Sequence, residues 1–287
     1  MDIRQIVKNL KIPLPEAEIL LAHVLNKSRE FIISHPETKT NKRQINKLNK
    51  AVNKRLNSVP LPYILGYKYF YGLKFLVNKS VLIPRPETEL MVDEALKNIT
   101  PSPQPITIME VGTGSGCVII SIIKNLYLKS KTLSLKFFAT DISRSALVVA
   151  KKNAKEHNVC KRIKFFRGNL LKPFLKHCQL STANRQLLII ANLPYLTPAQ
   201  IKNSPTIKSE PKTALSAGKD GLKYYRQLFK QLRKLTASYS SVIVMIEINP
   251  GQTNKIKRLI RENLPLSSIK IKKDLRGLNR LVIAKFP

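Results

Sequence analysis

Short apolar runs alternate with longer amphipathic runs along the C-terminal two-thirds of the chain, and this alternation restricts the fold more than any other sequence feature. Five runs rich in Ile, Val, Leu and Phe are predicted as buried strands: 106–111, 135–141, 163–166, 187–192 and 242–247. Helical periodicity marks about 117–128, 143–157 and 222–235, and two last strands are predicted near 269–271 and 281–284. Such alternation is typical of a parallel sheet covered by helices on both faces. We therefore predict an α/β domain with a mostly parallel seven-stranded sheet.

The residues before this domain have a different pattern. Two helical stripes of apolar residues, the first entered by Pro15, predict a small helical domain over 1–66. The stripes are Ala17, Leu20, Leu21, Val24, Leu25 and Ile45, Leu48, Val52, Leu56. Between 67 and 89, Tyr, Phe, Leu and Val dominate and Gly72 separates two short runs, which predicts a β-hairpin linker. The α/β domain then takes 90–287, with Pro101, Pro103 and Pro105 in a loop before its first strand.

The charge of the chain limits the classes of partner without choosing one. Fifty-one Lys and Arg against 17 Asp and Glu give a formal net charge of +34. Charge of this size favours association with nucleic acid, ribosomes or an acidic protein. The basic residues are nevertheless spread along the chain, as in a proteome that simply favours lysine. One prediction is therefore a transient ribosome or RNA contact through the basic surface. The alternative is that the positive charge reflects only a general preference for lysine and serves no partner.

Several features predict an ordinary cytoplasmic protein. The N-terminus lacks the long apolar segment of a secretory signal, and the longest apolar run, 241–248, is too short to span a bilayer. Cys117, Cys160 and Cys178 have no disulfide or metal-ligand spacing, and the four His are scattered. We predict a monomer without membrane association and without a bound metal.

A glycine-rich segment predicts the cofactor site. Gly112, Thr113, Gly114, Ser115 and Gly116 lie where the first strand turns into the first helix. Glycines there permit a tight turn and close approach of the backbone to a ligand, and the helix N-terminus offers free N–H groups. The spacing G-x-G-x-G differs from the G-x-G-x-x-G of dinucleotide-binding proteins, which argues against NAD.

A carboxylate after the second strand supports an adenosine-bearing cofactor. Asp141 ends that strand, where it can accept hydrogen bonds from both ribose hydroxyls, while Ser143 can cap the following helix in its place. If the cofactor is S-adenosylmethionine, Glu110 would help to hold its amino-acid end, directly or through water. Asn169, in the loop after the third strand, is placed to meet the adenine. Asn192, after the fourth strand, is also predicted to contact the cofactor.

The end of the fourth strand predicts the reaction. Asn192, Leu193, Pro194 and Tyr195 follow that strand at the carboxyl edge of the sheet, where α/β proteins bind ligands. The Asn192 side-chain oxygen and the Leu193 carbonyl can each accept one N–H of a planar NH₂ group. Pro194 restricts the backbone, and Tyr195 can stack on the amide plane. Gripping both hydrogens would let the nitrogen pyramidalise, so that catalysis relies on positioning and electrostatics.

These motifs resemble the HemK/PrmC family, the release-factor glutamine N5-methyltransferases. The resemblance extends over nearly the whole chain, and its most specific part is the Ile-Pro-Arg-Pro-Glu-Thr-Glu block at 83–89. The other matching segments are 62–66, 70–72, Glu210 with 214–215, 218–222, Glu247 with Gln252, and 274–277 with Arg280.

The resemblance implies both a fold and an activity. It implies a Rossmann-like class I methyltransferase domain that binds S-adenosyl-L-methionine, gives S-adenosyl-L-homocysteine as product, and methylates the glutamine of a Gly-Gly-Gln loop in peptide chain release factors. It implies that the helical domain helps to dock the release factor. It also places the 83–89 block beside the cofactor and acceptor, with Arg85 and Glu87 at the substrate.

The sequence departs from the family pattern at three positions. Leu193 stands where the family usually has the first Pro of Asn-Pro-Pro-Tyr, and it can still supply the main-chain carbonyl with a less restricted φ. Asn169 stands where Asp is common, and its side-chain oxygen can still accept from the adenine amino group. Leu170 replaces an aromatic residue found in some relatives, which predicts weaker packing on the adenine.

Other substrates remain open on the motifs alone. Ribosomal-RNA adenine N6-methyltransferases often carry Asn-Leu-Pro-Tyr and are basic, but they usually begin near their glycine motif, add a C-terminal helical domain and lack the 83–89 block. A DNA adenine methyltransferase would need a target-recognition domain that is not visible here. Glutamine methylation of ribosomal protein L3 would use the same chemistry. A ribosome- or RNA-binding module without catalysis is disfavoured by the intact cofactor and acceptor motifs.

Overall fold

The computed structural model describes residues 1–99, 105–127, 134–177, 185–235 and 239–286. By its internal contacts the chain divides into two units, Met1–Lys68 and Tyr69–Pro287. The prolines at 101 and 103, Cys178 and the predicted helix end at 128 lie outside the described residues.

The first unit consists of helices. They are α1 (Ile3–Asn9), α2 (Leu14–Leu25), α3 (Arg29–Ser34), α4 (Lys42–Leu56) and α5 (Leu61–Leu65). Asp2, Ser28 and Asn41 cap α1, α3 and α4, because the side-chain oxygen of each accepts a hydrogen bond from a backbone N–H in the first turn. Prolines occupy the first turns of α2 and α5, where a missing N–H costs no hydrogen bond.

The two predicted apolar stripes meet in the core of this unit. Leu20 and Leu21 of α2 are buried together with Leu48 and Val52 of α4. Leu56, which was predicted on the same stripe, is instead 52% exposed, because α4 ends there and the chain turns away at Asn57.

A β-hairpin follows, formed by β1 (Tyr67–Phe70) and β2 (Leu73–Leu76). Tyr71 and Gly72 connect the strands with φ of 50° and 71°, the left-handed pair that tight hairpins favour. The sequence prediction set 67–89 apart as a linker. In the structure, residues from Tyr69 onward belong to the second unit, because Phe70 and Phe75 are buried in its core.

The second unit alternates strands and helices after α6 (Glu89–Asn98). Its remaining elements are β3 (Ile106–Val111), α7 (Cys117–Tyr127), β4 (Leu135–Asp141), α8 (Arg144–Glu156), β5 (Ile163–Arg167), α9 (Lys172–His177), β6 (Gln186–Ala191), α10 (Pro198–Lys202), α11 (Lys212–Leu215), α12 (Lys223–Leu232), β7 (Ser241–Glu247), α13 (Thr253–Asn263), β8 (Ser268–Lys273) and β9 (Asn279–Phe286). Within the described ranges, none of the helices is long and apolar enough to cross a membrane.

The large sheet of this unit has the strand order β5-β4-β3-β6-β7-β9-β8. The strands from β5 to β7 pair in parallel, and β9 pairs antiparallel with both β7 and β8. The predicted fold, a mostly parallel seven-stranded sheet after a helical region and a hairpin, is therefore confirmed over the described residues. The helices α6, α7 and α8 cover one face, and α9, α12 and α13 cover the other.

The topology determines where a ligand can bind. The chain runs from β3 outward through β4 to β5, and then returns to β6 on the other side of β3. A crevice opens at the carboxyl edge of an α/β sheet where the strand order reverses in this way. The ends of β3 and β4 and the loops that follow β3, β5 and β6 carry all the predicted cofactor and acceptor motifs except the 83–89 block.

Candidate active site

The glycine-rich turn follows β3, between β4 and β6. Gly112, Gly114 and Gly116 have φ of 73°, 54° and 80°, in the left-handed region that favours glycine. The N–H groups of Gly112 and Thr113 donate to the Thr140 carbonyl of β4 at 2.8 and 2.9 Å. The turn is thereby fixed to the neighbouring strand before the chain enters α7.

Asp141 is held by the backbone on both sides. The Gly114 N–H donates to its Oδ2 at 2.9 Å, and the Ser143 N–H donates to its Oδ1 at 2.8 Å. The Ser143 hydroxyl accepts from the Ala146 N–H at 3.1 Å and so caps α8. Asp141 is therefore not the cap of α8. Because each carboxylate oxygen has more than one acceptor site, both can still receive hydroxyl hydrogens.

Glu110 lies inside the cavity wall near the end of β3 and is 5% exposed. The Thr113 hydroxyl donates to its Oε2, and the Ile119 N–H approaches the same atom at 3.4 Å. Burial raises the pKa of Glu110 to about 8, and the nearby charge of Asp141 acts in the same direction. A cationic group beside Glu110 would favour its ionised form.

The loop after β5 presents one polar and one apolar side chain to the cavity. The Asn169 Nδ2 donates to Gln227 Oε1 of α12 at 3.3 Å, which leaves the Asn169 Oδ1 available as an acceptor. Leu170 lines the cavity with a φ of 54°. Ile142, directly after Asp141, also lines it and is 58% exposed. An apolar surface beside an acceptor suits an aromatic base that carries an amino group.

The amide of Asn192 is held by its nitrogen. The Asn192 Nδ2 donates to Glu247 Oε2 at 3.0 Å and to Thr88 Oγ1 at 3.1 Å. The Thr88 hydroxyl in turn donates to the same Glu247 oxygen at 2.6 Å. Because the nitrogen side of the Asn192 amide faces these two partners, its Oδ1 is left as an acceptor for a ligand in the cavity.

Glu247 joins the acceptor loop to the end of β7. It is 3% exposed, and burial raises the pKa of its carboxyl despite the bonds from Thr88 and Tyr195 and the charge of Arg280. The Tyr195 hydroxyl donates to Glu247 Oε1 at 3.3 Å. The buried Tyr225 hydroxyl donates to the Glu247 main-chain carbonyl and lies 3.5 Å from the Leu193 carbonyl oxygen.

The 83–89 block is tied to the segment after β6. The Arg85 guanidinium pairs with the buried carboxylate of Glu210, which also accepts from the Ile83 N–H at 3.1 Å. Arg85 lines the cavity and remains 35% exposed at its side chain. Glu87 is half-buried and does not line the cavity; its charge adds to the raised pKa of Glu247.

One open cavity brings most of the predicted residues together. It is lined by the predicted residues Arg85, Glu110, Gly112, Thr113, Gly114, Ser115, Asp141, Asn169, Leu170, Asn192, Leu193 and Pro194. Gly116, Glu87 and Tyr195 do not line it. A Cβ at Gly116 would lie 3.0 Å from the Ile120 Cδ1 and 3.3 Å from the Ala150 Cβ, so this glycine allows α7 to pack on α8.

Sequence reasoning gave no role to the residues that hold the acceptor group and the adenine-side acceptor, although Thr88, Glu210 and Glu247 lie in segments that match the family. Thr88, Glu210 and Gln227 act through side chains from distant parts of the chain. Glu247 gave a usable signal, because it is a carboxylate that ends a buried strand at the same sheet edge as Asp141. Ile142 also gave one, as an apolar residue directly after that aspartate. The described residues contain no group of three His, Cys, Asp or Glu side chains arranged to hold a metal ion.

Comparison with known proteins decides the family. A family model described as the PrmC N-terminal domain matches residues 5–66. The chain is 33% identical over 272 residues to the release factor glutamine methyltransferase of Bacillus cereus, covering 93% of this chain and 91% of that protein. The chain belongs to the release factor glutamine methyltransferase family.

Further comparisons agree with this assignment. The family member from Coxiella burnetii is 33% identical over 293 residues, covering 99% of both chains. Among solved structures, the hMettl16 catalytic domain in complex with MAT2A 3′UTR hairpin 1 aligns with a TM-score of 0.54 at 14% identity, covering 92% of this chain and 90% of that one. At this identity the likeness shows the fold alone, a methyltransferase fold shared by the two chains.

Proposed function

We propose that this family member transfers the methyl group of S-adenosyl-L-methionine to the side-chain amide nitrogen, N5, of the glutamine in the Gly-Gly-Gln loop of a peptide chain release factor. The observation that supports transfer to a planar NH₂ group is the orientation of Asn192, whose nitrogen is held by Glu247 and Thr88 so that its oxygen is free to accept from the ligand. The Leu193 carbonyl supplies a second acceptor beside it.

The residues of the cavity fit the cofactor from end to end. Glu110 would meet its cationic amino-acid end, Asp141 would accept from the two ribose hydroxyls, and Asn169 would accept from the adenine amino group. The apolar side chains of Ile142 and Leu170 would provide a surface on which the adenine ring can pack. When bound, the cofactor supplies an electrophilic methyl group on a sulfonium centre.

The protein contributes positioning more than proton abstraction. An amide nitrogen is a weak nucleophile because its lone pair is delocalised. Asn192 and the Leu193 carbonyl would grip the two N–H hydrogens and turn the lone pair toward the methyl group. Glu247 is occupied by its hydrogen bonds to Asn192, Thr88 and Tyr195, and therefore orients the acceptor loop rather than serving as a base. The N-methylated amide then loses its extra proton to solvent.

An adenine amino group carries the same pair of hydrogens, so Asn192 alone does not separate an RNA substrate from a glutamine. What supports glutamine is the identity to relatives named as release factor glutamine methyltransferases over nearly the full length of both chains. Ribosomal protein L3 stays as an alternative glutamine substrate. The cytoplasmic location, the monomeric state and an RNA or ribosome contact stay predictions.

The test is methyl transfer from labelled cofactor to three substrates side by side: an intact release factor, ribosomal protein L3 and ribosomal RNA. We expect label in the release factor and none after its Gly-Gly-Gln glutamine is replaced by alanine. Label in ribosomal RNA with an unlabelled release factor would contradict the proposal. Label in L3 alone would retain the chemistry and change the substrate.

A further inference from the structure

The side-chain amide of Gln252 joins two segments of the second unit that are distant in sequence. Gln252 directly precedes α13 and is 8% exposed. Its Nε2 donates to the Tyr195 carbonyl at 3.0 Å and to the Gly221 carbonyl at 3.2 Å. Its Oε1 accepts from the Asn249 N–H at 3.3 Å. Two carbonyls and one N–H match the donor and acceptor capacity of a carboxamide, so this buried amide is satisfied by the main chain.

A glycine makes room for this contact. Gly221 has a φ of 73°, in the left-handed region that favours glycine. A Cβ at this position would lie 2.4 Å from the Gln252 Nε2 and 2.4 Å from the Tyr195 carbonyl oxygen. Any larger residue would therefore force the donor and its acceptor apart.

The peptide group between Tyr195 and Leu196 is anchored on both sides. Its carbonyl accepts from Gln252, and its N–H donates to the Leu215 carbonyl at 3.0 Å. This peptide directly follows the acceptor segment 192–195, which begins where β6 ends at Ala191. The acceptor segment is therefore a short span between a strand of the sheet and an anchored peptide.

Leu193 is the residue of this span whose conformation depends most on the two anchors. Asn192 is held through its side chain by Glu247 and Thr88, and the ring of Pro194 restricts its own φ. Leu193 has no ring that restricts its φ, and its carbonyl direction follows from where the ends of the span are fixed. That carbonyl is the second acceptor for the substrate NH₂ group in the proposed reaction.

We infer that Gln252 is a positioning residue for methyl transfer: by holding the Tyr195 carbonyl, it keeps the Leu193 carbonyl directed at the acceptor NH₂ group. The inference rests on the proposed function, in which that carbonyl accepts one N–H of the substrate amide. Gln252 does not line the cavity and acts through the main chain. Because a displacement of about 1 Å at a reacting group can cost about 10² in rate, the effect of Gln252 belongs to kcat.

The experiment compares two matched variants of the full-length enzyme. Gln252→Met keeps the length of the side chain and removes the amide donor. The control, Ile260→Val, removes one methylene from a fully buried residue of α13 and leaves the amide contact in place. Methyl transfer to an intact release factor is measured at saturating S-adenosylmethionine, and backbone hydrogen exchange is measured over residues 192–196.

For Gln252→Met, we expect kcat to fall by about tenfold or more, with KM for the release factor and affinity for S-adenosylhomocysteine within about twofold of wild type. Backbone amides within 192–196 should exchange faster than in wild type, whereas Ile260→Val should change neither kcat nor this exchange.

A second substitution separates positioning from general stability. Leu193→Pro fixes the φ of residue 193, so it should restore part of the kcat lost in Gln252→Met. A residue that served only the stability of the fold would not be rescued by a restriction at Leu193.

Each failure has its own signature. A wild-type enzyme that labels the release factor, with wild-type kcat in Gln252→Met, would overturn the role of Gln252 and leave the proposed function intact. An equal loss of kcat in Ile260→Val, or unchanged hydrogen exchange over 192–196 in Gln252→Met, would also overturn that role. A wild-type enzyme that labels neither a release factor nor ribosomal protein L3 contradicts the proposed function, and the exchange measurement then still decides whether Gln252 holds the segment.

Discussion

At the scale of single residues, Asn192 is held by its nitrogen, so its loss should affect turnover more than binding. We expect Asn192→Ala to lower kcat by about 10²–10³, the cost of one positioning hydrogen bond made in the transition state. Affinity for S-adenosylhomocysteine should change little, because Glu110, Asp141 and Asn169 remain. Single-turnover kinetics and calorimetric titration measure the two effects. Thr88→Ser, which keeps the hydroxyl between Asn192 and Glu247, is the matched control, and near-wild-type turnover by Asn192→Ala would refute the role.

The raised pKa of Glu110 predicts a pH dependence of cofactor binding. Below its pKa of about 8 the carboxyl is largely protonated, and a cationic amino group must displace that proton. Affinity for S-adenosylhomocysteine should therefore rise between pH 6 and pH 8 by up to about tenfold per pH unit. Glu110→Gln should bind more weakly and lose this dependence. Calorimetric titration across the range is the check, and a flat wild-type profile would contradict it.

Glu110 also affects the free energy of unfolding, and this effect has the opposite pH dependence to that of cofactor binding. Its folded pKa of about 8 lies above the ordinary glutamate value of 4.5, so the folded state binds the proton more tightly than the unfolded state. The contribution of Glu110 to stability is therefore greatest below pH 4.5 and falls as pH rises toward 8. Bound cofactor, by supplying a positive charge, should offset this loss.

The residues that could be predicted from the sequence are those whose signal is local. Asp141 and Asn192 each end a strand at the ligand-binding edge, and this position is visible in the pattern of apolar runs. Thr88 and Glu247 meet 159 residues apart, and nothing in the sequence states that contact. Tyr195 was predicted to stack on the substrate amide, yet its hydroxyl binds Glu247 and it does not line the cavity. Its proposed stacking role, like that of Glu87 at the substrate, stays a prediction.

At the scale of elements, two glycines of the turn after β3 have different roles: Gly114 lines the cavity, and Gly116 lies where α7 packs on α8. Gly114 and Gly116 both have positive φ, so alanine at either costs about 1–2 kcal/mol from the left-handed backbone. A Cβ at Gly114 has no neighbour within 4 Å, whereas one at Gly116 presses on Ile120 of α7 and Ala150 of α8.

This difference gives a paired prediction. Gly116→Ala should lose a further 1–3 kcal/mol or so of unfolding free energy from overpacking. Gly114→Ala should be the more stable of the two but bind the cofactor more weakly, because Gly114 lines the cavity. Denaturant titration and calorimetric titration of both variants make the comparison. Equal losses of stability would show that α7 and α8 can separate to accept the extra methyl group.

The elements that were predicted well have strong apolar periodicity. The bounds of β3 and β4 agree with the predicted 106–111 and 135–141, and the ends of the remaining strands differ from their predicted positions by at most two residues. The helix α13 was not predicted, because among its eleven residues only Ile256, Leu259 and Ile260 are large and apolar, and lysine and arginine dominate the rest. Its burial comes from tertiary contact with β9 and α12, which a local pattern does not contain.

At the scale of the whole molecule, the chain consists of a helical unit with its own core, followed by an α/β unit whose strand order reverses at β3. The order of these units could be read from the change in periodicity near residue 66. The substrate of the enzyme could not be predicted from the charge, because a net charge of +34 is compatible with both a polyanion and an acidic protein. The strength of the salt effect on turnover separates these two substrates.

When an enzyme binds RNA, counterions condensed on the RNA are released in proportion to the number of phosphates that the enzyme contacts. With 6–10 such contacts, affinity falls by roughly 10³–10⁵ between about 50 and 200 mM salt. A protein substrate has no condensed counterion layer of this kind to release. We therefore expect kcat/KM for the intact release factor to fall by less than about tenfold over this range, mainly through KM. A short peptide that carries only the Gly-Gly-Gln loop should show almost no salt effect. A loss of several orders of magnitude with the release factor would mean that the charge of +34 acts as a polyanion-binding surface in the reaction itself.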